Sequence, residues 1–312
     1  MEIKEFTEAV AKAISERDEN LIVTANTDIL KNNGLLFNGV SIRTKETNIA
    51  PVIYIDGMLL HGMSVDEAAD KVMEIYANHS NDMHNFDVNA VNSFETIKDK
   101  IVAKVINRQR NEHIMQTCPY AQFGDMLIMF AIIVAKDSDG MASIKITNEL
   151  MNAWKANLAQ LIEAAYMNTK VLFPMQIHHM STLLERMMGS IDPAMRPTID
   201  STNDFMFVVT SSSLQNGAYF ITDRESLIEI AEHVNARQFY ILPSSINELI
   251  IIPKDNNVMP EHMDEDYLMG MVKEVNATQV PMDEVLADNV YVFDADAEEL
   301  RTLKGTIIPF IA

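Results

Sequence analysis

Residues 239–253 read FYILPSSINELIIIP. Phe239-Tyr240-Ile241-Leu242 and Leu249-Ile250-Ile251-Ile252 are short, β-rich apolar runs, and Pro243-Ser244-Ser245-Ile246-Asn247-Glu248 between them is polar. Runs of this length bounded by Pro, Ser and Asn are expected as paired buried strands joined by a tight turn. A helical pattern from Asp223 to Val234 precedes the pair, and an acidic one from Pro260 to Asn276 follows it. Helices on both sides of such a pair predict an α+β fold, with mixed or antiparallel sheets covered by helices. The pattern fixes an architecture and names no reaction.

Working towards the N-terminus, an amphipathic helix is expected over Phe6 to Glu16. Asn32-Asn33-Gly34 is a turn signal between strands Leu21–Leu30 and Leu35–Arg43. Ala50 to Ile55 is a further strand, and Ser64 with Glu67 three residues on forms a capping box that opens a helix. Asn78 to Asn92 reads as a polar loop, and Phe94 to Lys100 as a short helix. Ile101–Ile106 is a strand, and Pro119 is placed to start a helix. Met126–Ala135 and Met141–Ile146 form a hairpin around Asp137-Ser138-Asp139-Gly140. Helices follow at Asn148–Trp154, Asn157–Asn168 and Ser181–Met188. Phe205–Ser211 and Ala218–Ile221 flank a turn at Gln215-Asn216-Gly217. A helix near Asp283–Leu286, a strand at Val290–Phe293 and an acidic tail close the chain. Gly189 to Asn203 is rich in Pro, Ser, Asp and Gly, which suggests two closely packed halves, 1–190 and 205–312, about a linker at 191–204.

At 312 residues, with 48% hydrophobic and 22% charged side chains, the composition is that of a globular protein. The longest apolar run, Met126 to Ala135, has ten residues, half a membrane span, so no membrane is expected. A single cysteine, Cys118, and an N-terminus without a secretory pattern point to the cytoplasm. The formal net charge is −21, and residues 255–300 hold thirteen acidic side chains against one basic, Lys273. Such a surface repels phosphate backbones, so direct nucleic-acid binding is disfavoured.

With these segments laid out, the chain resembles an uncharacterised family, a domain of unknown function found in acidic cytoplasmic proteins of gut-dwelling anaerobic Firmicutes. The resemblance rests on Asn33–Arg43, Ile49–Ile55, Lys100–Asn107, Ile146-Thr147-Asn148, Leu214–Thr222, the 239–253 block, Val275–Val280 and Glu284–Phe293. It covers nearly the whole chain and implies an architecture but no activity.

Chemistry-bearing motifs are sparse. There is no HExxH, no cysteine cluster and no glycine-rich phosphate loop, so neither a metal site nor a cofactor is expected. His178-His179 lie seven and six residues before Glu185, but neighbours on a helix point about 100° apart. Cys118, five residues after His113, reads as a lone buried thiol, and Ser244-Ser245 lack a G-x-S-x-G elbow. No catalytic residue is assigned. The candidate binding residues are Arg108 and Arg110 in the densest cationic patch, Ser244 and Ser245 in the strand–turn–strand block, and Asn276 and Gln279 at the end of the acidic helix. The leading expectation is a non-enzymatic interaction or regulatory protein that docks on a basic partner through its acidic C-terminal third. Alternatives are a hydrolase or small-molecule-binding enzyme collecting Arg108, His178 or Ser244 between the halves, and a DNA mimic.

Overall fold

The computed structural model describes residues 1–45, 50, 52–84, 88–136, 141–188, 204–243, 245–254 and 263–311. Chain contacts divide the protein into two units, Met1–Lys100 with Ile132–Ile144, and Ile101–Ala131 with Lys145–Ala312.

In the first unit, α1 (Ile3–Arg17) leads into a three-stranded antiparallel sheet of β1 (Leu21–Leu30), β2 (Leu36–Thr44) and β3 (Val52–Tyr54). The Asn32–Gly34 turn joins β1 to β2, with Asn33 at φ 58, a left-handed value that Asn tolerates. Helices α2 (Asp56–Leu60), α3 (Val65–His84) and α4 (Phe94–Ile97) follow. Phe6, Val10 and Ile14 recur every four residues on α1, and bury against Val40 and Ile42 of β2 and Ala68, Ala69 and Val72 of α3. Full burial of each large apolar side chain contributes roughly 1.5–3 kcal/mol, which is what fixes this helix pair on the sheet. The capping box forms as read: the Glu67 backbone N–H donates to Ser64 Oγ, and the Ser64 N–H donates to the Glu67 carboxylate.

The second unit opens with β4 (Ile101–Asn107), α5 (Glu112–Thr117) and β5 (Tyr120–Phe123), and β6 (Met126–Lys136) carries the chain out of it to β7 (Met141–Lys145). These strands form a sheet in the order β4-β6-β5, with β7 on β6. Next come α6 (Asn148–Ala153), α7 (Leu158–Leu172), β8 (Met175–His179), α8 (Met180–Met188), β9 (Phe207–Ser211), α9 (Arg224–Val234), β10 (Gln238–Leu242), β11 (Leu249–Pro253) and α10 (Glu265–Thr278). The described chain ends with β12 (Tyr291–Asp294), β13 (Glu299–Thr302) and β14 (Ile307–Ile308). Strands β8 to β14 build a seven-stranded antiparallel sheet in the order β14-β13-β12-β10-β11-β9-β8. The α+β reading therefore holds, and β10 pairs with β11 as the 239–253 stretch requires, Tyr240 opposite Ile252. All four residues Phe239–Leu242 are buried, because both sheet faces are covered. Tyr240, Leu242, Ile252 and Val292 pack with Leu268 and Val272 of α10 on one face. Phe239 and Phe293 meet with ring centroids 5.5 Å apart on the other.

Several expectations are corrected. Residues 78–84 continue α3 instead of opening a polar loop. Polar side chains there do not end a helix unless a stop residue intervenes, and no Gly or Pro does. Ala218–Ile221 belongs to a buried 3-10 helix, Gly217–Thr222. Pro119 introduces β5 and starts no helix. Residues 283–286 form turn and irregular backbone, and the acidic tail is the hairpin of β12 and β13 capped by β14. The segment 191–203 lies outside the described residues.

Candidate interaction surface

Residues 284–291 hold the site together. Val285, Leu286, Ala287, Val290 and Tyr291 are buried, yet up to Val290 the backbone is neither helix nor strand. Buried carbonyls and amides without a ladder must find other partners, since each one left unsatisfied costs about 1–3 kcal/mol. Side-chain amides and a neighbouring turn supply them. The Ile246 N–H donates to Glu284 O at 2.9 Å, Asn107 Nδ2 to Leu286 O at 2.9 Å, and Asn276 Nδ2 to Ala287 O at 2.9 Å. Asn276 Nδ2 also donates to Asp288 Oδ1 at 2.8 Å. Further along, Asn289 and Tyr291 both donate to the carboxylate of Asp125, at the tip of the β5–β6 hairpin. Burial, reinforced by the Asp125 charge, pushes the Tyr291 phenol well above its ordinary range, so it stays a donor. This segment is a strap, clipped by one asparagine from β4, one from α10 and one aspartate from a hairpin.

A second knot stands at the head of the strap. Asn216, at φ 60, donates its side chain to Ala103 O at 2.9 Å and its backbone N–H to Asn247 Oδ1 at 3.2 Å. Gly217 N–H donates to Asn247 O at 3.1 Å, and the Thr210 hydroxyl donates to the same carbonyl at 2.8 Å. A Cβ on Gly217 would lie 2.3 Å from Asn247 O, which is why glycine stands there. A family model covers this architecture: residues 3–295 match a family described only as a family of unknown function, DUF5688.

The chain belongs to that family. No curated protein and no solved structure matches it. Membership therefore brings no catalytic residue. Asn107, Asn216, Gly217, Asn247 and Asn276 are all engaged in holding irregular backbone.

The candidate residues separate accordingly. Asn276 is buried and bridges α10 to the strap, so it neither caps the helix nor lines an open groove. Its two N–H groups face two acceptors, which fixes the amide and leaves Oδ1 buried without a protein partner. Gln279 is exposed, and its backbone N–H closes α10 on Val275 O at 2.8 Å. Arg110 is exposed and stands 3.9 Å from Asp288, while its backbone N–H donates to Asn107 Oδ1. Arg108 is exposed, with its backbone N–H on Asp125 O. The strap thus gathers Arg108, Arg110 and Asn276 into one neighbourhood. Ser245 is buried and accepts the Asn247 N–H, a turn-stabilising role, and Ser244 lies outside the described residues. His178 and His179 end a strand, so no helix joins them to Glu185. His179 stands 3.6 Å from Asp204. Cys118 is buried among Ile106, Ile114, Leu127 and Met129. Sequence reasoning missed Asp125, Asn247 and Asp288; each bonds residues more than ten positions away, and no local pattern encodes that.

The exposed acid lies on two elements. On α10, Asp264 caps the helix by accepting the Tyr267 N–H at 2.8 Å, and Glu265, Asp266 and Glu274 are exposed. Carboxylates in a first helical turn also favour the helix dipole. Asp296, Glu298 and Glu299 are exposed around the β12–β13 turn. Among the described residues three cations reach this acid through exposed contacts, Lys254 to Glu265 at 3.3 Å, Arg224 to Glu298 at 3.4 Å and Arg237 to Asp296 at 3.4 Å, while Arg110 reaches Asp288 of the strap. Such pairs are worth only about 0–1 kcal/mol each, so they exchange readily for another cation. Met269 and Met271 pack on the core beneath α10, whereas Met282 is exposed. Among the described residues, no group of three or more His, Cys, Asp or Glu side chains could hold a metal ion, and no helix is long and apolar enough to cross a membrane.

Proposed function

We propose that this protein is a non-enzymatic interaction or regulatory protein that docks on a basic partner through its acidic C-terminal third. The observation that carries the reading is the concentration of exposed carboxylates on α10 and the β12–β13 turn. An acidic surface speeds encounter with an oppositely charged partner, and the cost of displacing three weak ion pairs is small. The test compares the wild-type chain with a variant neutralised at Asp266, Glu274, Asp296 and Glu298, each used to capture proteins from cells that make this protein. A stoichiometric basic partner held by the wild type, released by salt and missed by the variant, supports docking. Equal capture by both chains rejects it, and displacement of the partner by duplex DNA identifies the acid as a DNA mimic.

A further inference from the structure

Strand β8 ends the seven-stranded sheet, and among the described residues no strand pairs with its outer side. Its register with β9 runs unbroken from Met175 opposite Ser211 to His179 opposite Phe207. Just before the strand the Ser212 N–H donates to Pro174 O at 2.9 Å, and just after it the Met180 N–H donates to Met206 O at 2.9 Å. Peptide groups of successive residues in a strand face opposite ways, so the even-numbered residues bond β9. The N–H and C=O groups of Met175, Ile177 and His179 therefore face outward. Strand β4, at the end of the four-stranded sheet, is treated differently. There the Ala103 N–H donates to Thr169 Oγ1, Asn216 Nδ2 to Ala103 O and Asn168 Nδ2 to Ile101 O, each at 2.9 Å. Those side chains occupy groups that an added strand would need. Along β8 there is no such clip among the described residues, and no Lys, Pro or bulge to discourage a new strand.

We propose that β8 pairs antiparallel with β8 of a second copy of this chain, about a twofold axis at Ile177, joining two seven-stranded sheets into one. The edge is complementary to itself. A twofold contact must bring the outward residues of one copy onto outward residues of the other, and rotation about Ile177 does so. Met175 meets His179 of the second copy, and the two Ile177 residues meet on the axis. Gln176 then lies opposite the second copy's His178. Within one strand His178 Nε2 and Gln176 Oε1 already stand 3.1 Å apart, so the same two groups can bond across the axis. No Asp, Glu, Lys or Arg on β8 opposes its own image. Asp204, beside His179, is committed to the Ser181 N–H at 3.0 Å. The exposed acid sits elsewhere: α10 rests on β10, β11 and β12, and β12 is four places along the sheet from β8. With strands about 4.8 Å apart, β12 stands roughly 19 Å away, beyond a Debye length of about 8 Å at physiological salt. The pairing uses neither α10 nor the β12–β13 turn, so it does not rest on the docking reading.

Sedimentation of the intact chain over a range of concentration and ionic strength, with hydrogen exchange of the β8 amides, tests the pairing. A reversible dimer is expected, and it should tighten as salt is raised, because two chains of charge −21 repel at low salt. As the dimer fills, the amides of Met175, Ile177 and His179 should slow, while those of Gln176 and His178, already bonded to β9, should not change. Ile177→Pro removes an outward N–H and leaves the bonds to β9, so it should abolish the dimer without loss of the fold. A wild-type chain that stays monomeric at every concentration overturns the proposal. So does a wild-type dimer whose odd-numbered amides exchange as fast as in dilute protein, a reading that needs no variant. A monomer whose odd-numbered amides are protected only by a captured host protein assigns the edge to a foreign strand and rejects self-pairing.

Discussion

Two glycines show how far a single residue's surroundings decide its role. Gly217 faces Asn247 O at 2.3 Å and Thr210 Cα at 2.9 Å from where a Cβ would sit, and both are backbone atoms that cannot swing away. Gly217→Ala should therefore lower stability by about 3 kcal/mol or more in denaturant unfolding, the scale of overpacking a buried site. Gly270 lies inside α10 with nothing within 4 Å of its added Cβ. Gly270→Ala should stabilise by about 0.5–1 kcal/mol in the same measurement, since it removes only unfolded-chain freedom. Asn276 carries a third prediction. Replacing it by Leu removes both N–H donors and leaves Ala287 O unpaired in the buried strap, which should cost about 1–3 kcal/mol. A neutral result in thermal unfolding would show that the strap does not need its clip.

At the scale of elements, local signals were legible where they are self-contained. The capping box of α3 and the β10–β11 pair were readable because each is completed within a few residues of itself. The α7 cap is of the same kind: Asn157 accepts the Gln160 N–H and Gln160 reaches back to Asn157, a reciprocal box. Asn157→Ala should cost about 1 kcal/mol, measurable by thermal unfolding. The strap was illegible because its carbonyls are satisfied from Asn107 and Ile246, 179 residues away in the first case. Segment 283–286 has helical composition, yet buried Val285 and Leu286 belong to irregular backbone whose geometry those distant amides set. The 3-10 helix that begins at Gly217 is illegible for the same reason, since its first two amides donate to the carbonyls of Asn247 and Ile246 in the β10–β11 turn.

For the whole molecule, the charge of −21 was visible at once, and its meaning depended on where the carboxylates came to rest. Some are structural: Asp125 anchors the strap and Asp223 caps α9 while pairing with Lys170 at 2.9 Å. Others, on α10 and the β12–β13 turn, meet solvent and, among the described residues, three exchangeable cations. The two sets should respond oppositely to neutralisation. Asp125→Asn should destabilise the fold. Removing the exposed charges at Asp266, Glu274, Asp296 and Glu298 should leave the unfolding midpoint unchanged or slightly raised, through relief of self-repulsion.

The most direct measurement is the affinity of the captured partner for wild-type and surface-neutralised protein across a range of ionic strength, with both chains shown to be equally folded. Docking through the acidic third requires a wild-type affinity that falls steeply with salt, and a variant that binds more weakly with a shallower dependence. Equal affinity and equal salt dependence for the two chains would contradict it, and leave the acid a matter of solubility.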